Sequence, residues 1–337
     1  MRDKFKDREL EEFIKNHEVI YIRHSMASTP QVYQKLISEG IVAVHYTDYL
    51  KGGVNSEDLE NHKDPENYEG TARKVLKRLE RFCREGVVVF ADYSDPPKGL
   101  KLKAVNIGII PERECYKPVR YLPGNEDYPK GFIYKQVKLH NYVTLSHADV
   151  IPLLAIQPRG GTVVRWPSAE KLVKFFYKRK LGLKIDPKSI SPELLLPFQQ
   201  EVLCSEYLRT KAPEEIRLKY LLLPVGRGLK AIDIDGANDV NRIFAQVSLS
   251  KNENEIKVKV NELRRLAKEY RGPKKLIQVY FGPDEKREFI RQIAPEIRFI
   301  SLEEVFNALR DTGILNDMLP PETKLVKTLS PNDGESP

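Results

Sequence analysis

Hydrophobic positions in the first half of the chain recur at two periods, and each period predicts one kind of element. Apolar residues three and four apart predict amphipathic helices, whereas short β-branched runs bounded by Gly, Pro or Asn predict strands. The predicted helices span 5–16, 30–39 and 70–84. The predicted strands are 17–25, 41–46, 87–93 and four later runs, LKAVNIGII, KPVRYL, FIYKQVKLH and PLLAIQ. Because the later strands are short and regularly punctuated, we expect a small β barrel in this half.

From Phe198 onward the pattern alternates between the helical and the strand period. The predicted order is helix 198–210, hairpin 229–250, helix 253–270, strand 276–281, helix 284–293, strand 297–301 and helix 302–311. Alternating helices and strands are typical of an α/β domain. Together with the β-rich first half, they predict an α+β protein.

Composition divides the chain into four segments. Residues 1–160 form the β-rich part and residues 195–312 the α/β part, in keeping with two domains for 337 residues. Residues 161–194 contain a Ser-Ala-Glu helix start and a Lys/Arg-rich face, which predicts a basic helical connector. Residues 313–337 are rich in Pro and Ser with few apolar residues, so we expect a disordered tail.

The net charge of the chain points to a polyanionic partner. The formal charge is +8 at pH 7, and nucleic acid is favoured over a membrane surface. The sequence has no run of eighteen apolar residues, and the N-terminal MRDKFKDRELEEF lacks the apolar core of a signal peptide. We therefore expect a cytoplasmic protein without a membrane-spanning helix.

The segment 228–252 carries the most specific candidate chemistry. It predicts two alternating strands joined by a Gly/Asn/Asp turn. Because side chains alternate along a strand, Asp233 and Asp235 share one face of the first strand. Gln246 and Ser248 share one face of the second. A carboxylate and an amide oxygen brought together in this way suit Mg²⁺ or Mn²⁺, the kind of ion that metal-assisted phosphodiester hydrolysis requires.

These residues carry a resemblance to a nuclease family. The spacing D-x₁₂-Q from Asp233 to Gln246 follows a predicted helix that contains Glu201 and Glu206. This arrangement resembles the PD-(D/E)xK nuclease core in the Gln form typical of Mrr-like restriction endonucleases. The resemblance covers about residues 195–312, and it implies a restriction-endonuclease-like fold in which Asp233 and Gln246 bind the metal.

The resemblance also implies the remaining parts of the site. The Val247 carbonyl would complete the metal ligands, and the family carries a catalytic lysine where Ser248 stands here. An ammonium group could come instead from Lys251, or from Lys257 or Lys259 on the next helix. The predicted catalytic residues are Asp233, Gln246, Ser248, Lys251 and Glu201.

The first half resembles the PUA-like (EVE-type) domains that are often fused to Mrr-like proteins. The similarity runs over about residues 18–150, through IYIRHS, GIVAVHY and VVVFADY. In that family, a pocket between the end of the first strand and a G-x-W strand receives a flipped, modified base against aromatic walls. Tyr46 stands at the position of that Trp. The residues expected near it are Arg23, His24, Ser25, His45 and, as a looser candidate, Trp166.

The sequence leaves two main functions open. The first is a metal-dependent DNA endonuclease of the restriction or defence type that acts on modified DNA, by resemblance as a homodimer. The alternative is a catalytically inactive nuclease fold that only binds modified nucleic acid, and Ser248 distinguishes the two. A third function follows from IYIRHS, which resembles the histidine-phosphatase layout with His24 as nucleophile. The predicted nucleic-acid-binding residues are Arg23, Ser25, Tyr46, Lys174, Lys178 and Arg179.

Overall fold

The structure is a computed structural model that divides into two compact units, Met1–Ile185 (unit 1) and Asp186–Pro321 (unit 2). The α+β class predicted from the sequence is confirmed. No helix in the described part of the chain combines the length and the apolar composition needed to cross a membrane. The described residues are 5–24, 29–46, 49–95, 97, 100, 102–122, 131–185, 190–222 and 232–318, with the backbone alone for 316 and 317.

Unit 1 places its helices around two sheets. Its helices are α1 (Asp7–Asn16), α2 (Pro30–Ser38), α3 (Gly70–Glu85), α4 (Ile151–Ala155) and α5 (Glu170–Lys180). Its strands are β1 (Val19–Arg23), β2 (Ile41–Val44), β3 (Val87–Tyr93), β4 (Ala104–Ile110), β5 (Lys117–Tyr121), β6 (Phe132–Lys138), β7 (His140–Ser146) and β8 (Val163–Arg165). Five strands form one sheet in the order β7-β4-β3-β1-β8, and three form a second in the order β2-β6-β5.

The central strands β1, β3 and β4 are buried almost throughout, which explains why they appear in the sequence as continuous apolar runs. Helix α5 packs against β1 and β4. Trp166, just before α5, contacts the ring of Tyr21 edge-on at 5.4 Å between centroids. Ile20 and Ile22 point to the opposite face and pack in one cluster with buried residues of α2 and α3. Both faces of this sheet are therefore covered by apolar side chains.

Residues 163–180, which the sequence placed in the basic connector, are part of unit 1. Strand β8 pairs antiparallel with β1, with Val163 opposite Ile22. Helix α5 buries an apolar face that includes Val173 and Phe176. The apolar face of this helix, rather than its lysines, decides where the segment lies, because burial of apolar area is the larger free-energy contribution.

The strands described in unit 1 form two sheets and no closed barrel. The run PLLAIQ, predicted as a strand, lies mostly in α4, which has a proline in its first turn. Short apolar runs do not distinguish the two element types, and Pro suits the start of a helix. The preceding HNYVTLS forms β7 instead, an edge strand whose residues are mostly half-buried.

Unit 2 has the predicted alternation of helices and strands. Its helices are α6 (Pro197–Thr210), α7 (Glu253–Glu269), α8 (Arg287–Ile293), α9 (Leu302–Leu309) and α10 (Ile314–Met318). Its strands are β9 (Tyr220–Leu221), β10 (Ile234–Ala237), β11 (Asn241–Val247), β12 (Lys275–Gly282) and β13 (Arg298–Ser301). Of the predicted tail 313–337, residues 314–318 form α10 and residues 319–337 lie outside the described residues.

The sheet of unit 2 has the order β13-β12-β11-β10-β9. Strands β11, β12 and β13 are parallel, and β10 joins β11 as an antiparallel hairpin. Tyr280 of β12 packs in a cluster with α7 and α8. Its neighbour Phe281 contacts Tyr207 of α6, so α6 covers the opposite face. The sheet of unit 2 is thus covered by α6 on one face and by α7 and α8 on the other.

Candidate functional site

The candidate nuclease site of unit 2 lies where β10 begins and β11 ends. In this antiparallel pair Asp235 is opposite Phe244. The backbone N–H of Asp233 continues the ladder by donating to the carbonyl oxygen of Ala245 at 2.9 Å. Opposite residues of such a pair point to the same face, so this register sets the side chain of Asp233 beside that of Gln246.

Asp233 is the central acceptor of this site. Its Oδ2 accepts a hydrogen bond from the backbone N–H of Val247 at 2.7 Å and another from the side-chain amide of Gln246. The same amide nitrogen lies 3.3 Å from the carbonyl oxygen of Val247. The structure therefore brings together the carboxylate, the amide and the backbone carbonyl that the sequence suggested as metal ligands.

Glu201 of α6 is electrostatically coupled to Asp233. Burial raises the pKa of Glu201 to about 7, and the negative charge of Asp233 contributes to the rise. Burial also raises the pKa of Asp233, while the hydrogen bond from the Val247 N–H acts in the opposite direction. Glu206, on the same helix, instead lies 4.0 Å from the guanidinium of Arg209. When one buried carboxyl group lies beside a second, a nearby cation stabilises their charged forms.

Lys259 of α7 supplies a positive charge to this pair of carboxyl groups. Its ammonium group acts to lower the pKa of both Glu201 and Asp233, against their burial. Ser248, at the position of the family lysine, is buried, and its Oγ accepts a hydrogen bond from the backbone N–H of Ser250 at 3.2 Å. The ammonium charge that acts on this pair of carboxyl groups therefore comes from a helix, and Ser248 adds none.

The other two candidate lysines have different partners. Lys251 forms an exposed ion pair with Glu285 at 3.1 Å. Lys257 lies over the ring of Phe289, with 5.6 Å from its ammonium to the ring centroid. Positions two apart on an α-helix differ by about 200° in direction, so Lys257 and Lys259 face different surroundings.

The donor set of this cluster fits a hard divalent cation. Two of its oxygens, Glu201 Oε2 and Gln246 Oε1, are buried without a hydrogen-bond partner among the described residues. Two carboxyl groups, an amide oxygen and a backbone carbonyl are the ligand types that Mg²⁺ and Mn²⁺ prefer. In the described residues no group of three or more His, Cys, Asp and Glu side chains is placed to hold a metal ion. The amide and backbone oxygens would therefore have to complete this site.

Unit 1 contains a pocket at the place suggested by Tyr46. The cavity has a volume of about 120 Å³. Arg23 and Thr162 line it, and the Tyr46 hydroxyl donates to Thr162 Oγ1 at 2.8 Å. Its aromatic walls come from His24, Tyr33, His45, Tyr46 and Tyr134. Four residues that the sequence grouped together, Arg23, His24, His45 and Tyr46, line this one cavity.

The sequence did not identify Tyr33, Tyr134 and Thr162 as pocket residues. They lie on α2, on β6 and before β8, so no local pattern connects them. The available signal was the strand and helix periodicity around Tyr33 and Tyr134, which marks both as buried positions occupied by a polar aromatic residue.

His24 is held by backbone groups on both sides of its ring. The Ala43 N–H donates to Nε2 at 3.1 Å, and Nδ1–H donates to the Asp92 carbonyl oxygen at 3.3 Å. The ring stacks on Tyr93 at 4.0 Å and is 4 % exposed. A phosphatase nucleophile needs a free, accessible ring nitrogen, so the histidine-phosphatase interpretation is wrong. His24 instead ties together the ends of β1, β2 and β3 around the pocket.

We expect unit 1 to lose stability on acidification because of His24. Burial lowers the pKa of His24 from 6.5 to about 4. Between these values the unfolded chain binds more protons, so the free energy of unfolding falls as pH falls. The loss from this residue should reach about 3 kcal/mol at pH 4. It is measured as the change, between pH 7 and pH 4, in the free energy of unfolding that hydrogen exchange of the β1 and β3 amides gives.

The control for this prediction is His24→Gln, which cannot titrate in this range. Between pH 7 and pH 4, the free energy of unfolding obtained from its hydrogen exchange should fall by about 3 kcal/mol less than that of the native protein. Equal pH dependence of the two proteins would show that folding does not lower the pKa of His24.

Three other predicted nucleic-acid-binding residues, Lys174, Lys178 and Arg179, do not line the pocket. Lys174 donates to Glu170 at 2.6 Å and to the Lys15 carbonyl at 3.2 Å, which links α5 to α1. Lys178 is half-buried, and the Arg179 guanidinium lies 5.9 Å from the centroid of the Phe175 ring. Ser25 lies outside the described residues. Trp166 is buried against Tyr21 and Phe90 and is not part of the pocket lining.

Comparisons with known proteins give one weak similarity. No family model matches the chain, and no curated protein matches it. Among solved structures, the chain is similar to the MspJI restriction endonuclease in complex with a 27-mer oligonucleotide, at 14% identity. The match covers 90% of this chain and 80% of that chain, with a TM-score of 0.26. A TM-score of this size does not establish a common fold.

Proposed function

We propose that this protein is a divalent-cation-dependent DNA endonuclease of the restriction or defence type, with the nuclease site in unit 2. The observation that carries the proposal is the convergence of Glu201, Asp233 and Gln246, joined by the charge of Lys259. Three acidic or amide side chains and one lysine, drawn from two helices and a hairpin, are the residue types that phosphodiester hydrolysis uses.

Each residue has a distinct part in this proposal. Asp233, the Val247 carbonyl and, with its side-chain amide turned over, the oxygen of Gln246 would hold Mg²⁺ or Mn²⁺. Glu201 would add a fourth oxygen. The cation would supply Lewis-acid polarisation of a phosphoryl oxygen. Lys259 places a positive charge where the phosphate becomes more negative as water attacks. Because Glu201 takes up a proton near neutral pH, a cation and a proton compete for its carboxyl group.

For unit 1 we propose a base-reading role. The pocket has a size and an aromatic lining that suit a flat ring, as expected of a site that reads a base turned out of the duplex. His24 and the Tyr46–Thr162 hydrogen bond fix parts of its wall in position. Such a pocket would direct the nuclease to DNA that carries a modified base.

A second candidate function is recognition of modified nucleic acid without cleavage. The observation that favours it is Ser248, directly after β11, which provides no ammonium group at the position used by the resembled family. The two functions differ in whether Lys259 replaces that group.

A cleavage experiment tests the proposal directly. We expect the purified protein to nick or linearise plasmid DNA in Mg²⁺ or Mn²⁺, faster when the plasmid is methylated, and to leave it intact in EDTA. Binding, measured by gel shift in EDTA, should persist and weaken steeply with salt because lysine and arginine contacts release counterions. If the protein binds both plasmids but cleaves neither in either cation, the binding function stands and the nuclease function is wrong.

A further inference from the structure

The pocket of unit 1 already uses several of its polar groups inside the protein. The His24 ring accepts from Ala43 and donates to the Asp92 carbonyl, so its ring nitrogens are occupied. The Tyr46 hydroxyl donates its proton to Thr162. These groups shape the pocket, so other polar groups of its lining would have to recognise a ligand.

Two hydrogen-bond donors of the pocket have no acceptor among the described residues. The hydroxyl of Tyr33 is buried, with the side chain only 1 % exposed, and no partner lies within hydrogen-bond distance. Arg23 Nε–H is likewise buried without a partner, while the guanidinium of Arg23 also interacts with the Tyr21 hydroxyl. Buried polar groups are normally satisfied, so unsatisfied donors on two residues that line one small cavity point to a ligand that supplies their acceptors.

Both groups stay donors over the physiological pH range. A guanidinium has N–H groups only and accepts no hydrogen bond. Burial raises the pKa of the Tyr33 phenol, and the negative charges of Asp92 and Asp95 contribute, so the hydroxyl keeps its proton. A ligand can satisfy the Arg23 N–H only with an acceptor, and a ligand acceptor also satisfies the Tyr33 hydroxyl.

The size of the cavity limits the ligand further. An engineered protein cavity of about 150 Å³ holds a single benzene ring, and this one measures about 120 Å³. One six-membered ring fits, and a fused two-ring base is too large without movement of the walls.

We propose that Tyr33 and Arg23 are the specificity-determining donors of this pocket, and that they select a pyrimidine base through its ring acceptors. This inference rests on the proposed base-reading role of unit 1. Cytosine and thymine both carry a carbonyl oxygen at ring position 2, which the Tyr33 hydroxyl or the Arg23 N–H would bind.

The test uses short DNA duplexes with one test base opposite an abasic site, so that the base leaves the stack easily. The test base is cytosine, thymine or difluorotoluene, which has the shape of thymine without its acceptor oxygens. In EDTA, wild type should bind at least one of the two pyrimidine duplexes about tenfold more tightly than the difluorotoluene duplex. Tyr33→Phe should reduce this ratio to about threefold, and Arg23→Lys, which lacks the Nε–H, should reduce it similarly.

A matched control separates recognition from folding. Tyr142 donates its hydroxyl to the Ser38 carbonyl at 2.6 Å and does not line the pocket. Tyr142→Phe should lower the stability of unit 1 and leave the binding ratio unchanged, whereas Tyr33→Phe should not lower stability because it breaks no bond in the protein. A loss of stability in Tyr33→Phe equal to that of Tyr142→Phe would overturn the inference.

The failures of this inference and of the reader role are distinguishable. If wild type distinguishes the pyrimidine duplexes from difluorotoluene and Tyr33→Phe keeps the full ratio, only the role of Tyr33 is overturned. If wild type binds all duplexes equally, including one with an abasic site in both strands, the base-reading role is wrong as well.

Discussion

Asp233→Asn is expected to abolish cation-dependent DNA cleavage, with a loss of about a thousandfold or more in rate. A bound cation contributes several kcal/mol of transition-state stabilisation, and each 1.36 kcal/mol corresponds to about tenfold in rate. Asn has the shape of Asp and its carbonyl oxygen still accepts from the Val247 N–H, so the hairpin should remain folded. The measurement is single-turnover cleavage in Mg²⁺ across a range of cation concentrations.

The matched control is Asp239→Asn, the same change in the exposed turn of the hairpin. Asp239 forms an exposed pair with Lys219 at 3.0 Å and is not part of the cluster. This variant should cleave within about twofold of wild type, since exposed pairs contribute little. Cleavage by Asp233→Asn at the wild-type rate would show that this hairpin is not the nuclease site.

The hairpin could be predicted from the sequence because a single rule decides it. Alternation at period two places Asp233 and Gln246 on the same face of a tight antiparallel pair. The register of the two strands then leaves little freedom in where these side chains lie. The same rule put Asp235 on that face, where its carboxylate binds Arg242 at 2.5 Å. Alternation therefore finds the face, and only the positions of neighbouring side chains show which carboxylate belongs to the site.

The pocket and the connector depended on contacts between distant segments. Tyr33 comes to the pocket because α2 packs against β2 and β4, and helical periodicity says only that this residue is buried. The segment 163–180 has many cations, which suggested a surface helix. Its small strand β8 pairs with β1, which lies more than a hundred positions earlier in the chain, and no local pattern encodes that pairing.

Lys259→Met is expected to lower the cleavage rate about a hundredfold or more while DNA binding stays nearly unchanged. Its ammonium is the lysine charge that acts on both Glu201 and Asp233. Loss of one preorganised group that stabilises developing negative charge typically costs about 3 to 4 kcal/mol, whereas one lost phosphate contact changes affinity much less. Met keeps the length and apolar stem of the side chain, so the packing of α7 should persist.

The same cleavage experiment shows whether the required charge comes from Lys259 on α7 or from Lys251 in the loop after β11. Lys251→Met removes an exposed ion pair with Glu285 and should cleave within about twofold of wild type. Adding Ser248→Lys to Lys259→Met should restore at least about tenfold of the lost rate, because the new ammonium comes from the residue directly after β11, two positions from Gln246. If Lys251→Met loses more activity than Lys259→Met, the required charge comes from the loop after β11. If both single variants and their combination cleave like wild type, hydrolysis at this site proceeds without a lysine, and the part assigned to Lys259 is wrong.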